Sequence, residues 1–522
     1  MTLAPARLVH ETLLQTAARR PHAPALIADG RQHTYEEIAD SARRLASALG
    51  HSGVERFDRV VVFAENSELC CVAIYATLLC GAAFVVVNPQ TRTEKLKFIV
   101  NDSGARGLVT QAHLGATSSE VLAGCPSLAS VVGAGDRSLL TDPRCVALED
   151  ALGEPPVSEP VAAVPLDLAA LIYTSGTTGT PKGVMMTHQS MMFAMGSIAQ
   201  YLGLDASHRL LNVLPLAFSY GLYHLLMSVN LGATLVLERS FVYPARVFER
   251  MLDHEVTLVG AVPTIYSMLL AAHARSTLEF PSVRILTNAA AALPNSYGPL
   301  LHEVFPNAEL YRMYGQTECT RTSYLDPALA EIKPGSVGKA IPGTEVDLRS
   351  PDGAAVPAGE PGLLHVRGPH VMLGYWNLPE QTADFLRPGR YPGERVLCSH
   401  DWFRMDEEGY LYFVARADDI IKTRGEKVSP VEVENVLMGI DTVLEAAVVG
   451  VPDERLGEAI RAFVVLDEAS GLTPKRIELL CRAQLESFMV PQQIVVVTEL
   501  PKTESGKIRR AGLRDLGVDT RT

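Results

Sequence analysis

Residues 171–184 read Leu-Ile-Tyr-Thr-Ser-Gly-Thr-Thr-Gly-Thr-Pro-Lys-Gly-Val, an apolar run that opens into a loop of small and hydroxylated residues and ends on Lys182. Glycines let backbone N–H groups approach an anion, Ser and Thr hydroxyls donate further hydrogen bonds, and the lysine adds a positive charge. The stretch therefore predicts a strand followed by a phosphate-binding loop. It is not the Walker pattern, because the spacing differs and Gly183 follows the lysine. Alone, the loop would fit a flexible turn between two domains equally well.

Apolar runs of this kind recur between amphipathic helical stretches through the first four-fifths of the chain. Strands of near-continuous Val, Ile and Leu are typical of parallel sheets covered by helices on both faces. The clearest of these runs are 60–63, 108–110, 234–237 and 283–287. We therefore expect an α/β fold with two mostly parallel subdomains in this part of the chain.

The pattern changes after about Pro334, where glycine and proline become dense. Short strands between such turns favour a small antiparallel, β-barrel-like subdomain. From about Asp418 alternating strands and helices return, with helices predicted over 430–437 and 474–488 and a strand over 446–451. We expect an N-terminal domain, 1–417, and a small α+β C-terminal domain, 418–522.

Composition narrows the function classes. The chain has 522 residues, too many for one hydrophobic core of ordinary size. Its apolar fraction of 47% and charged fraction of 20% are typical of a globular protein and exclude wholesale disorder. With 46 basic and 59 acidic residues the net charge is -13, which argues against a dedicated nucleic-acid or anionic-membrane binder.

Residues 69–87 carry no charge and are long enough to suggest a membrane span. Gly81, however, divides them into a helix-like half and a β-branched half, which favours a buried helix followed by a buried strand. The eight cysteines form no CxxC pair and no metal-ligand spacing, so we expect reduced thiols in a cytoplasmic protein. The first residues lack a basic start followed by an apolar run, which agrees with that location.

Two further segments carry groups suited to nucleotide chemistry. Tyr314-Gly315-Gln316-Thr317-Glu318 combines an aromatic ring, a hydroxyl and a carboxylate, and the segment 500–510 places Lys507 on a tight loop. Taken alone, the carboxylate would be a solvated side chain and the lysine one of many at the surface.

Together with the phosphate loop, and in this order, these segments closely resemble the adenylate-forming superfamily of acyl-CoA synthetases, peptide-synthetase adenylation domains and luciferases. The resemblance runs from about Tyr35 to Arg510 and includes matching segments at 374–380, 406–412 and 415–422. It implies an enzyme, an AMP-forming acid ligase, that joins a carboxylic acid to the α-phosphate of ATP. Pyrophosphate would leave, and the acyl group would pass to a second nucleophile.

The resemblance also implies roles for residues at matching positions. Glu318 would bind Mg²⁺, which neutralises the triphosphate, and Thr317 would hydrogen-bond the α-phosphate. The residues implied for the β- and γ-phosphates are Thr174, Ser175, Gly176, Thr177, Thr178 and Lys182. Those implied for the nucleoside are Tyr314 and Ala289 beside the adenine, and Asp401 and Arg416 at the ribose.

By the same resemblance, Lys507 would bridge the carboxylate and α-phosphate oxygens, and its loss should slow adenylation roughly 10²–10³-fold or more. Asp418 matches the hinge about which a mobile C-terminal domain would swing after adenylation. That rotation would withdraw the lysine and bring the Gly425 loop to the site, where its bare backbone would face the pantetheine arm.

The acyl pocket is expected to be an apolar wall with a few polar groups, suited to an aryl, alicyclic or short-to-medium acyl acid. Its predicted members are Phe218, Ser219, Tyr220, His224, Val262, Asn288 and Met313. His224 would either set specificity or simply pack a helix. Between 214 and 232 no Asp is present to pair an ammonium, so α-amino acids are disfavoured. Phe218 stands where many relatives carry histidine, which is compatible with an aromatic gate role but excludes the histidine hydrogen bond. Arg312 departs from the family near adenine, so that role is not transferred.

The second nucleophile stays open. CoA is the default because no carrier domain follows Arg510; a free-standing carrier protein comes next, and an amine, giving an amide, is third. A nucleotide sensor without catalysis would be expected to lack Lys507, Glu318 or Thr317, and all three are present. We expect a monomer or homodimer whose partners are a carboxylic acid, ATP and one of these acceptors, with no nucleic acid and no membrane span.

Overall fold

The structure is a computed structural model of the chain. It describes residues 5–136, 142–175, 181–274, 278–294, 296–417, 419–423, 426–453, 455–467, 470–502 and 508–514. At 115–118, 175, 427, 457 and 511 it describes the backbone alone.

The first part of the chain forms a sheet with the order β7-β6-β5-β3-β4-β8-β9, parallel except for the hairpin of β8 and β9. The strands up to residue 187 are β1 (Pro24–Ala28), β2 (Arg31–Thr34), β3 (Arg59–Phe63), β4 (Ala83–Val87), β5 (Gly107–Gln111), β6 (Ser130–Ala134), β7 (Cys145–Ala147), β8 (Leu168–Ser175) and β9 (Pro181–Thr187). The helices between them are α1 (Val9–Arg19), α2 (Tyr35–His51), α3 (Glu68–Leu79), α4 (Thr93–Ser103), α5 (Gly115–Gly124) and α6 (Leu148–Ala151).

A second sheet follows, with the order β16-β15-β14-β13-β12-β10-β11-β1-β2. Its central strands, from β1 to β14, are parallel, and β2, β15 and β16 add antiparallel edges. Its further strands are β10 (Arg209–Asn212), β11 (Thr234–Leu237), β12 (Leu258–Ala261), β13 (Ile285–Asn288), β14 (Glu309–Tyr314), β15 (Ser323–Leu325) and β16 (Lys339–Ala340). The helices here are α7 (His188–Leu202), α8 (Ser219–Leu231), α9 (Pro244–Asp253), α10 (Pro263–His273) and α11 (Tyr297–Val304).

The Gly- and Pro-rich region after Pro334 forms a third sheet, which is antiparallel as predicted. Its elements are β17 (Glu345–Arg349), β18 (Gly362–Arg367), α12 (Pro379–Phe385), β19 (Leu386–Pro388), β20 (Arg395–Met405) and β21 (Leu411–Arg416). The predicted fold class, two mostly parallel α/β units followed by a small antiparallel one, is confirmed.

The C-terminal part forms a fourth sheet, ordered β23-β22-β25-β24 with β26 beside β25. Its elements are β22 (Ile421–Thr423), β23 (Glu426–Val428), α13 (Pro430–Met438), β24 (Val443–Asp453), β25 (Gly457–Leu466), α14 (Pro474–Arg482), β26 (Gln493–Val496) and α15 (Arg510–Arg514). The helix predicted over 474–488 is shorter and ends at Arg482. The core clusters of this part draw only on residues 421–513; the boundary at 417/418 stays a prediction.

The uncharged stretch 69–87 is a buried helix followed by a buried strand, as predicted. Helix α3 is buried on all sides, and Gly81, with φ of +69°, turns the chain into β4. Ser67 caps the helix by accepting a hydrogen bond from the backbone N–H of Cys70. Across the described part of the chain, no helix is long and apolar enough to cross a membrane. All eight cysteines are free thiols.

Candidate active site

The predicted phosphate loop falls in the sequence between β8 and β9, which pair as antiparallel strands. Thr174 lies opposite Lys182 in the register of the two strands, and both side chains are half-buried. Ser175 is described only by its backbone; Gly176, Thr177 and Thr178 lie outside the described residues. The Nζ of Lys182 lies 5.5 Å from the ring centre of Tyr375. The hairpin therefore brings the predicted phosphate-binding lysine beside an aromatic residue that lies almost two hundred positions further along the chain.

A short segment around Gly374 runs along β9 and holds the hairpin in place. The N–H of Met185 donates to the carbonyl of Gly374 (3.0 Å), and the N–H of Trp376 donates to the carbonyl of Gly183 (2.8 Å). Gly183 packs closely here: a Cβ would lie 3.1 Å from the Tyr173 ring and 3.4 Å from Cβ of Trp376, so these neighbours would have to shift by a few tenths of an ångström. The segment 374–380 therefore stabilises the hairpin of β8 and β9.

Glu318 lies on the other side of Tyr375. The Tyr375 hydroxyl donates to Oε1 of Glu318 at 2.6 Å, and the N–H of Met372 donates to the Glu318 carbonyl at 2.8 Å. Tyr375 is 3% exposed, and burial together with the Glu318 charge raises its pKa, so the phenol stays protonated and keeps donating. These contacts fix the orientation of the carboxylate.

The donor set near Glu318 fits Mg²⁺ that arrives with a nucleotide. Magnesium is usually held by one or two carboxylates together with substrate phosphates and water. Within the described ranges, no group of three or more His, Cys, Asp or Glu side chains could hold a metal ion by itself. The Glu318 carboxylate, oriented by Tyr375, therefore fits a magnesium ion that is held by one carboxylate together with the phosphates of a nucleotide.

Tyr314, Asp401 and Arg416 form a second polar cluster. Tyr314 ends β14 and donates its hydroxyl to Oδ2 of Asp401 at 2.5 Å. Asp401 on β20 pairs in register with Arg416 on β21, whose Nε lies 3.7 Å from Oδ1. Burial, then the charge of Asp401, raises the pKa of Tyr314, which keeps this phenol neutral as well. Thr317, which lies between Tyr314 and Glu318 in the sequence, is half-buried. Tyr314, predicted to lie beside adenine, therefore meets Asp401 and Arg416, predicted for the ribose, across the second and third sheets.

The predicted acyl residues are only partly brought together. Tyr220, His224 and Met313 line one small internal cavity of about 10 Å³. The other four are not among the lining residues of that cavity. They lie at element ends: Phe218 precedes α8, Ser219 begins it, Val262 precedes α10, and Asn288 ends β13.

The segment after β13 is held close to the second sheet. Nδ2 of Asn288 donates to the carbonyl of Ala291 at 3.0 Å, and Ala289 is 3% exposed. Ala290 has a φ of +75°, an uncommon conformation for a residue with a Cβ. The local turn is therefore tightly constrained at the place where the sequence predicts adenine.

Sequence reasoning missed Tyr375, Arg321 and Thr287. Tyr375 lies in a matching segment but had no assigned role. Arg321 follows Glu318 by three residues and is the only charged residue in the stretch 319–322. That isolated charge was the available signal for Arg321. Thr287 gave no signal, because its place depends on the hydroxyls of Tyr220 and Tyr266, which donate to its carbonyl at 2.7 and 2.9 Å.

Three predicted residues, Asp418, Gly425 and Lys507, lie outside the described residues. The chain flanking the lysine loop is described: Lys502 and Ile508 pair as an isolated antiparallel bridge. Arg510 anchors the end of this part, with its guanidinium 2.7 Å from Glu434 and 3.4 Å from Asp419.

Two family models match most of the chain. Residues 13–376 match the family model described as AMP-binding enzyme, and residues 432–507 match the AMP-binding enzyme C-terminal domain. The chain belongs to the AMP-binding enzyme family, which confirms the resemblance of its motifs.

Several curated and solved relatives cover almost the whole chain. A 3-hydroxybenzoate–CoA ligase of Aromatoleum sp. (strain CIB) is 31% identical over 503 residues, covering 94% of this chain and 93% of the relative. A feruloyl-CoA synthase of Amycolatopsis sp. is 33% identical over 504 residues, covering 96% of this chain and 97% of the relative. The crystal structure of a benzoate CoA ligase from Burkholderia xenovorans LB400 superposes with a TM-score of 0.86 at 28% identity, covering 97% of this chain and 100% of that chain.

Proposed function

We propose that the protein is an AMP-forming acyl-CoA synthetase that activates an aryl, alicyclic or short-to-medium acyl acid. One observation carries the proposal: Tyr375 joins the Glu318 carboxylate, 2.6 Å from its hydroxyl, to the Lys182 ammonium, 5.5 Å from its ring centre. A cation on the hairpin of β8 and β9 and a magnesium-type carboxylate just after β14, joined by one tyrosine, suit MgATP as substrate. Relatives named as CoA ligases over nearly the full length support CoA as acceptor.

In the first half-reaction the acid carboxylate attacks the α-phosphate and pyrophosphate leaves. Lys182 and the phosphate loop would hold the β- and γ-phosphates, and Glu318 would hold magnesium, which would neutralise negative charge on the leaving group. Thr317 hydrogen-bonds the α-phosphate. Lys507 bridges the carboxylate and α-phosphate oxygens, which otherwise repel each other.

In the same proposal, Tyr314, Ala289, Asp401 and Arg416 hold the nucleoside. The residues 418–522 form a mobile domain that turns about Asp418 after adenylation and brings Gly425 to the acyl group for attack by the CoA thiol. Separate core clusters on the two sides of residue 418 support this division. The free thiols support a cytoplasmic enzyme, which we propose acts as a monomer or homodimer.

The test is a pyrophosphate-release screen over aryl, alicyclic and fatty acids, followed by mass spectrometry of products formed with CoA. Acid-dependent pyrophosphate release and an acyl-CoA product are expected. Pyrophosphate release without a thioester, together with an amide or an acylated carrier protein when those acceptors are supplied, would replace CoA by the other acceptor. Binding of ATP without any acid-dependent pyrophosphate release would refute the enzyme function.

A further inference from the structure

Arg321 is a buried cation without a counter-charge at the wall of the small cavity that Tyr220, His224 and Met313 line. Its side chain belongs to the cavity lining, and the residue is 5% exposed. Its Nε has no hydrogen-bond partner, and it forms no ion pair with any carboxylate among the described residues. The guanidinium carbon lies 5.2 Å from the Tyr220 ring centre, a contact that offsets only part of the cost of burial. The Tyr201 hydroxyl also hydrogen-bonds the Arg321 side chain. Among the described residues, the unmatched donor at this cavity is therefore the Nε–H of Arg321.

His224 supplies an acceptor in the same cavity. The N–H of Leu214 donates to Oδ1 of Asn212 (3.2 Å), and Nδ2 of Asn212 donates back to the Leu214 carbonyl (3.1 Å), so the orientation of the amide is fixed. Nδ1 of His224 lies 3.2 Å from that Oδ1 and must donate to it. Burial, then the nearby Arg321, lowers the pKa of His224 to about 3, so the ring is neutral and its Nε2 carries a lone pair.

The Nε2 side of the ring lies against Gly260. A Cβ at Gly260 would lie 2.5 Å from Nε2 of His224 and 2.9 Å from Oγ1 of Thr287, so only glycine leaves this end of the cavity open. The open volume of about 10 Å³ corresponds to roughly one water molecule. Whatever group enters must be small.

A hydroxyl matches all three features, because it accepts one hydrogen bond, donates another and has the size of a water molecule. A carboxylate is larger and has no proton for Nε2 of His224. A hydrogen or methyl substituent leaves both the donor and the acceptor buried without a partner, which costs about 1–3 kcal/mol for each group.

We propose that the acid taken by this enzyme carries a hydroxyl remote from its activated carboxyl, and that this hydroxyl accepts a hydrogen bond from Arg321 and donates one to Nε2 of His224. The inference deepens the proposed function and rests on it. It makes Arg321 and His224 the residues that set acid specificity.

The experiment measures kcat/KM for pyrophosphate release with matched acids. The pairs are benzoate against 3- and 4-hydroxybenzoate, and cinnamate against 4-hydroxycinnamate; 3-chlorobenzoate supplies size without hydrogen bonds, and isophthalate supplies a second carboxylate. For the wild-type enzyme, we expect at least one hydroxy acid to exceed its unsubstituted and chloro analogues roughly 100-fold or more. Equal use of the unsubstituted acid, or preference for isophthalate, would overturn the inference and leave the proposed function intact. No pyrophosphate release with any acid would overturn both.

Variants then locate the effect. Arg321→Met should lower kcat/KM for the hydroxy acid roughly 30- to 100-fold while changing the unsubstituted acid less than about threefold. Arg321→Met removes the contacts with Tyr220 and Tyr201 but also the cost of burying a charge without an ion-pair partner among the described residues, so the thermal midpoint should change little. Arg321→Lys should recover part of the selectivity, and His224→Phe should reduce it about tenfold. Arg209→Met, which removes an exposed arginine paired with Glu255 at 2.7 Å, is the control and should behave as wild type. Equal loss for both acids in Arg321→Met and Arg321→Lys would assign Arg321 a structural role instead.

Discussion

Tyr375→Phe removes one hydroxyl and leaves the ring beside Lys182 in place, so it tests whether the orientation of Glu318 matters for the nucleotide. The hydroxyl donates to the carboxylate at 2.6 Å from a side chain that is 3% exposed. Without it, the Glu318 carboxylate has no hydrogen-bond donor among the described residues, and its side chain can rotate more freely, although the N–H of Met372 still holds its backbone carbonyl.

The expected magnitude follows from that single bond. Hydrogen bonds to charged groups contribute about 1.5–3 kcal/mol. Since Glu318 is half-buried and water can replace part of the loss, the lower end of this range, about 1.5–2 kcal/mol, applies. Converted at 1.4 kcal/mol per factor of ten, kcat/KM for pyrophosphate release should fall about 10- to 30-fold.

The assay is acid-dependent pyrophosphate release as a function of MgATP and of free Mg²⁺, with thermal unfolding measured in parallel. KM for MgATP should rise, and saturating magnesium should recover part of the activity. Tyr412→Phe is the matched control: its phenol also faces a carboxylate, with 3.3 Å to Asp406, but in the hairpin of β20 and β21. An unchanged MgATP dependence in Tyr375→Phe, or an equal loss in Tyr412→Phe, would refute the reasoning.

Four further outcomes are expected. Lys507→Ala should abolish pyrophosphate release but leave CoA transfer from preformed acyl-adenylate largely intact; equal loss in both assays would contradict the two-state domain proposal. Asp418→Pro should impair transfer more than adenylation, and unchanged transfer would argue against a hinge there. Gly260→Ala puts a Cβ 2.4 Å from Cε1 of His224 and should cost about 1–3 kcal/mol of stability and about tenfold in kcat/KM, whereas the control Gly196→Ala, with nothing within 4 Å, should cost neither. Burial lowers the pKa of His188 to about 3, against about 6.5 in the unfolded chain, so the free energy of unfolding should fall as pH drops from about 6.5 toward 4. Urea unfolding at several pH values measures this dependence. If the free energy of unfolding of His188→Gln falls with pH as steeply as that of the wild type, this histidine is not the cause.

The pH expectation has a local structural basis. Nδ1 of His188 accepts a hydrogen bond from the N–H of Val9 at 3.1 Å and therefore carries no proton in the folded chain. His10 packs edge-on against it, with 5.6 Å between ring centres, and burial lowers its pKa to about 4. Both rings resist protonation that the unfolded chain accepts, so the loss of stability at low pH has two contributors.

Much of the fold could be predicted from local patterns. The buried helix and strand on either side of Gly81 follow from composition and one glycine, and the antiparallel third sheet follows from the density of Gly and Pro after Pro334. These features depend on neighbours in sequence. The end of α14 at Arg482, six residues before the predicted limit of 488, shows that helix ends depend on packing that periodicity does not contain.

Family motifs led to the predicted site residues, whose roles stay predictions, whereas contacts that depend on a distant partner could not be predicted from the sequence. Glu318 and Tyr375 are 57 positions apart, and only the folded chain shows that the Tyr375 hydroxyl orients the Glu318 carboxylate. Likewise, the choice between a specificity role and a packing role for His224 could not be made from its helix. It depends on Asn212, twelve positions earlier, which sets the tautomer.

Two tyrosine–carboxylate contacts connect the nucleotide site to the third sheet and its neighbouring loop. Tyr314, at the end of β14 in the second sheet, donates to Asp401 on β20 of the third, and Tyr375, which lies beside β9 of the first sheet, donates to Glu318 just after β14. Because each phenol remains protonated, each contact has a fixed direction. A nucleotide bound at these carboxylates would therefore contact residues held by elements of all three sheets.

In the proposed enzyme, this arrangement requires that substitution of either tyrosine weaken nucleotide binding more than acid binding. The proposed acid pocket, with Arg321 and His224, draws its polar groups from a separate set of contacts. Equal effects of Tyr314→Phe on KM for ATP and KM for the acid would show that the two sites are not separated in this way.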